Sequence, residues 1–236
     1  MKNKIFFSIV ITLLLAAHNF ATAKKTAKKD SWQETMQGED KEFLSTGRNQ
    51  YFILEPGHQL TLEGEEDGKQ TKLIITVLDE TKKVDGVETR IIEERESQDG
   101  ELIEVSRNYF AIGKESKSVY YFGEEVDMYK KGKITSHEGA WESGVKGAKY
   151  GLMISGKTEI GAKYYQERAP KVAMDRGENV STSETSKTPA GEFKNCLKVK
   201  ETSALESGTE YKLYAPEVGL VKEGELKLVK HGSVKK

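Results

Sequence analysis

Three Asp-Gly dipeptides, Asp67-Gly68, Asp85-Gly86 and Asp99-Gly100, constrain this chain more than any other feature. A type I′ turn needs positive φ at both central residues, and Asp-Gly meets that need with little strain. Strands joined by such tight turns run antiparallel, because parallel neighbours need a long crossover. The dipeptides divide one stretch into candidate strands 70–84, 87–98 and 101–112, with no helical period between them. Lys131-Gly132, Ser207-Gly208 and Glu223-Gly224 add turn signals downstream. Further candidate strands cover 118–129, 162–169, 172–184, 190–202, 209–214 and 220–229, with Pro170 as a bend or bulge. In the last of these, Leu226 and Leu228 face one way and Glu225 and Lys227 the other, as in a sheet with one wet face. The expected fold is all-β: a single antiparallel meander curved into a half-barrel or incomplete barrel.

The N-terminus has the three parts of a secretory signal in order: basic Lys2 and Lys4, an apolar run over 5–17, and Ala21-Thr22-Ala23. The run is shorter than the roughly 20 residues that a bilayer-spanning helix needs. The expected division is a signal peptide over 1–23, a polar lead-in over 24–47, a β domain over 48–232 and a tail over 233–236. A short helix is expected from Glu39 to Leu44. The chain is then secreted or periplasmic, with no integral membrane segment after cleavage at Ala23. Protein taken from its native envelope should give an intact mass that starts at Lys24; a full-length chain in the membrane fraction would contradict this.

Charge excludes some partners. Basic residues number 37 and acidic ones 38, interleaved, so no basic stripe recommends nucleic acid. The single cysteine, Cys196, rules out an intramolecular disulfide, so core burial must hold the fold together. Strict alternation puts Cys196 with Lys194 and Lys198, but a bulge at Asn195 returns it to the core, the commoner place for a free thiol. His58, His137 and His231 are too dispersed for a local metal motif, and phosphate-cradling glycine loops are absent. Neither metal nor cofactor is expected, and no sequence feature identifies a protein partner.

Four blocks carry a resemblance. Val77-Leu-Asp-Glu-Thr with Asp85-Gly-Val, Tyr121-Phe-Gly-Glu-Glu-Val with His137-Glu-Gly-Ala-Trp, Thr188-Pro-Ala-Gly-Glu-Phe with Asn195-Cys-Leu, and Tyr214-Ala-Pro-Glu-Val-Gly-Leu-Val resemble a family of uncharacterised secreted bacterial β-rich proteins. The likeness runs in order from Val77 to Val221. It implies compartment and β architecture, with no activity attached. At the level of fold, the chain is also similar to periplasmic half-barrels of the lipoprotein-carrier type, which hold acyl chains against a curved sheet.

Candidate chemistry is sparse. On a regular strand, Tyr120, Phe122 and Glu124 share one face, which makes Glu124 a carboxylate among apolar neighbours and a candidate general acid. A bulge around Gly123 that turns Glu124 to solvent is the better reading of glycine in a strand. His137 and Glu138 lie beside Trp141 in a glycine-rich stretch over 135–160 that reads as a long irregular loop. Asp175-Arg176 reads as surface charge, with an interior ion pair as the alternative. Two functions follow. The first is a non-enzymatic binding or carrier module for an apolar or amphipathic small molecule, with Trp141, Tyr120, Phe122, Tyr164 and Tyr165 as candidate ligand contacts. The alternative is a hydrolase-type enzyme using Glu124, His137, Glu138 and Asp175 around 135–176.

Overall fold

The fold is one large antiparallel sheet rolled into a nearly closed barrel, with a separate two-stranded sheet, as the computed structural model shows for Trp32, Gln33 and residues 40–234. The expected signal segment lies outside the described residues. Three short strands come first: β1 (Phe43–Leu44), β2 (Gly47–Asn49) and β3 (Phe52–Leu54). A meander follows, made of β4 (His58–Glu66), β5 (Lys69–Val84), β6 (Val87–Gln98), β7 (Glu101–Gly113) and β8 (Val119–Lys130). Five short strands come next: β9 (Lys133–Ser136), β10 (Trp141–Glu142), β11 (Lys149–Ile154), β12 (Lys163–Tyr165) and β13 (Glu167–Arg168). A second meander ends the chain, with β14 (Asp175–Thr188), β15 (Gly191–Ser203), β16 (Glu210–Ala215), β17 (Gly219–Glu223) and β18 (Leu226–Ser233).

The Asp-Gly turns behave as their chemistry requires. Asp67, Asp85 and Asp99 have φ of 51°, 48° and 49°, and the glycines after them 75°, 83° and 82°. The two meanders join where β18 pairs antiparallel with β4, Leu228 opposite Leu62. On the far side β8 carries β11, which carries β13, while β14 carries β12. The chain changes partner at Gln166, so the one unsealed seam runs between these two edges.

Two cores share the sheet. The lumen holds Leu60, Leu62, Leu73, Val77, Ile92, Phe110, Leu197, Val199, Val221 and Leu228, all buried. Tyr109 and Ala111 flank Phe110 on β7 and therefore face outward. There they pack with Val84, Tyr120, Phe122 and Leu152 in a second core covered by Phe43 and Tyr150. Asp40 fastens the N-terminal segment over this outer core. Its carboxylate accepts the backbone N–H groups of Glu115 and Ser116 at 3.0 Å and the Tyr120 hydroxyl at 2.9 Å. Burial opposes ionisation of Asp40, but these bonds, with that of the Ser116 hydroxyl, outweigh it and hold the carboxyl below its usual range.

Several expectations need correction. Of the expected helix from Glu39 to Leu44, the first residue lies outside the described residues, and the rest holds the strand Phe43–Leu44, because Phe43 gains aromatic contacts with Tyr120, Phe122 and Tyr150. The stretch 135–160 is not structureless: it contributes part of β9 and all of β10 and β11. Glu223-Gly224 splits the expected strand 220–229 into β17 and β18, and β18 runs on to Ser233. Strands over 47–66 went unannounced. The bulge at Asn195 is present, with φ of 55°, and Cys196 is fully buried. At Pro170 the chain does bend, with Ala169 bridged back to Ala173.

Candidate functional site

Closing a sheet into a barrel turns one face of every strand into an interior, whatever that face carries. Here the faces that turn inward are not uniformly apolar. On β16, Lys212 stands opposite Val199 of β15 and Glu223 of β17, and its neighbours on the same face are Glu210 and Tyr214. Glu201 stands opposite Gly177 of β14, two residues from Asp175. From the other meander, Ile92 is followed inward by Glu94.

Lys212 sits at the centre of this polar end. Its ammonium lies 3.1 Å from Glu201 and 2.9 Å from Glu223, and their side chains are 16, 7 and 9 % exposed. Burial works against the charge, but the two carboxylates outweigh it and hold the lysine well above its ordinary value. Gln166 donates to Glu201 at 2.7 Å, so the residue at the seam also braces the cluster.

Other carboxyls lack such a counter-charge. Burial, reinforced by Glu223, pushes Glu94 up to about 7. Burial pushes Glu210 to about 8 against the pull of Lys212. Glu124 is driven to about 8 by burial, with Glu94 and Asp175 adding to it. Burial raises Asp175 to about 6 and Glu167 well above the carboxylate range, and the backbone N–H of Asp175 donates to Glu167 at 2.5 Å.

An open-mouthed pocket of about 600 Å³, open solvent included, leads into this region. Its apolar wall includes Leu60, Ile75, Val77, Ile92, Phe110 and Leu220. Glu94, Lys212 and Glu223 form its polar floor, and His58 and Val218 are among its lining residues. His58 is fixed by a 2.9 Å hydrogen bond between Nε2 and the Val218 carbonyl, and burial lowers its pKa.

The sequence candidates divide. Glu124 and Asp175 do converge in the interior. A bulge at Phe122–Gly123 is responsible, because the β7–β8 register slips between Tyr109 and Phe110. It leaves Tyr120 and Phe122 in the outer core and sends Tyr121 and Glu124 inward, the opposite of both the shared face and the turn to solvent expected from sequence. Gly123 allows this: with φ of 149°, it has the Trp141 carbonyl 2.6 Å from where a Cβ would stand. His137 stays on the exterior, 69 % exposed and 2.9 Å from Asp127, and Glu138 is exposed, so neither joins Glu124. Arg176 faces away from Asp175 and lies over the Trp32 ring, so the two make no interior ion pair.

Of the aromatic candidates, Tyr164 is buried in the cluster that holds Tyr120 and Phe122, its hydroxyl donating to Asn179 Oδ1 at 3.0 Å, and Tyr165 packs against Trp32. Trp141 closes a small core with Ala148, Ala169 and Ala173, edge-on to Tyr121 at 5.2 Å. None of Trp141, Tyr120, Phe122, Tyr164 and Tyr165 lines the cavity. Sequence reasoning missed Glu94, Lys212 and Glu223, because β6 and β17 carry charge on both faces and β16 carries it on the inward one. Among the described residues, no group of three His, Cys, Asp or Glu side chains is placed to hold a metal ion, and no helix is long and apolar enough to cross a membrane.

No family model, curated protein or solved structure matches the chain. The likeness to secreted bacterial β-rich proteins and to carrier half-barrels therefore remains an expectation from sequence, and function has to be argued from the lumen itself.

Proposed function

We propose that this protein is a non-enzymatic binding or carrier module that takes an amphipathic small molecule into its barrel. The observation behind this reading is an open-mouthed pocket in the barrel whose apolar wall ends on a charged floor. Ligand sites are concave, mostly apolar and supplied with a few convergent polar groups, and this pocket has that make-up. An exported carrier suits the signal-like N-terminus. The hydrolytic alternative draws on the raised carboxyls of Glu124 and Asp175, but it lacks a histidine beside them, and neither residue belongs to the cavity wall.

Titration with the uncharged apolar fluorophore N-phenylnaphthylamine tests the reading. Saturable binding at one site per chain is expected. Val218→Trp, which fills the mouth from a half-buried position, should weaken binding by about tenfold or more with little change in melting temperature. Absence of saturable binding by the wild type would remove the carrier reading.

A further inference from the structure

Resting on the carrier reading, we infer that the ligand's polar end is a cation of the alkylamine type, seated on Glu94 at the floor of the cavity. The obvious rival is a fatty acid, whose carboxylate would look for a cation. Lys212 is the cation on that floor, and its ammonium is already held at 3.1 Å by Glu201 and at 2.9 Å by Glu223. A carboxylate arriving there would have to displace one of two buried partners and leave that partner unpaired, which is costly in a low dielectric. It would also meet a third negative group, Glu94.

Glu94 presents the opposite situation. It lines the cavity, and among the described residues no hydrogen bond or ion pair reaches its carboxyl. Its electrostatic surroundings are Glu223, Glu96 and Glu201, relieved by Lys212 alone. Burial and Glu223 hold it near the midpoint of ionisation at neutral pH, so an arriving ammonium supplies a counter-charge that the protein does not. Glu94 is half-buried, and a partly desolvated carboxyl without a counter-charge can be satisfied from the cavity side.

An independent atom points the same way. Thr71 is 2 % exposed and its Oγ1 has no partner. It sits on the inward face of β5, in alternation with the cavity-lining Ile75 and Val77. Its hydroxyl accepts as well as donates, so an N–H group on a ligand can satisfy it. The apolar wall takes the alkyl body, whose burial favours binding.

The test is competition. Decylamine, decanol and decanoate, each below its micelle concentration at pH 7.5, displace N-phenylnaphthylamine from wild type, Glu94→Gln and Glu88→Gln. Glu88 is an exposed carboxylate on the same strand and controls for general attraction of cations to the surface. Decylamine should bind wild type and Glu88→Gln about tenfold or more tighter than decanol or decanoate, and Glu94→Gln should lose most of that preference. Circular dichroism and reporter binding by the Gln variant show that it has kept its fold and cavity. If the reporter binds but decanol or decanoate matches decylamine, the cation inference fails and the carrier reading stands. A preference that survives in Glu94→Gln also overturns the inference. If the reporter does not bind wild type, the carrier reading falls first.

Discussion

Lys212→Met should destabilise the fold by about 3–5 kcal/mol at pH 8.5, the size expected when one member of a buried ionic group is removed and the others stay. Methionine fills similar space, so the loss is electrostatic: Glu201 and Glu223 keep their burial and lose the ammonium about 3 Å away. At pH 5 the penalty should shrink. Glu94 and Glu210 have folded-state values of about 7 and 8, above the unfolded value of 4.5. Groups raised in this way contribute stability that is fully present below 4.5 and is lost as pH rises through 7 and 8. The wild type should therefore be more stable at pH 5 than at pH 8.5. His58 opposes this: burial lowers its value, so its contribution is lost as pH falls below 6.5. It is one group against several, and the acids should win. Removing Lys212 raises Glu94 and Glu210 further and steepens the slope. Urea titrations of wild type, Lys212→Met and Lys212→Arg at both pH values measure this. Equal stability of wild type and the methionine variant at pH 8.5 would mean that the carboxyls find water or move apart without the lysine.

How much of this was legible in the sequence depends on where the controlling physics lies. The turns at Asp67, Asp85 and Asp99 were legible because positive φ is a local demand that few residue pairs meet. The burial of Cys196 was legible too, since Asn195 on an apolar face announces a bulge. The lumen was not. On β6, Glu93 and Arg95 face out while Glu94 and Glu96 face in, so charge appears on both sides of one strand and the alternation vanishes. On β16 the pattern is inverted: Lys212 is inward and Tyr211, 44 % exposed, is outward. A rule that sends charge to water reads such a strand backwards, because closure of the barrel decides which face is wet and closure depends on β4 meeting β18 across the chain. Glu124 failed for a smaller reason. One extra residue in β8 reverses every side chain beyond it, and a glycine marks the slip without saying which way it goes.

Trp141→Ala should cost about 3–5 kcal/mol and leave binding in the lumen intact. Trp141 is 7 % exposed, and its partners Ala148, Ala169 and Ala173 are too short to follow a shrinking neighbour. A cavity left among alanines stays open, and the penalty of a large-to-small change grows with the cavity that remains. The indole also lies edge-on to Tyr121, a contact worth about 0.5–1.5 kcal/mol beyond area. Its Nε1–H is buried beside the Glu124 carboxyl without completing a hydrogen bond, so Trp141→Phe keeps most of the packing and removes an unsatisfied donor. The phenylalanine variant should lose about 1–2 kcal/mol at most, well short of alanine. Because Trp141 is not in the wall of the cavity, both folded variants should bind N-phenylnaphthylamine within about twofold of wild type. The decisive pairing is a denaturant titration with a reporter titration on the same samples. Unchanged stability with lost binding would make Trp141 a ligand contact and move the binding site from the Glu94 floor to the seam side of the barrel, where Ala169 and Ala173 lie.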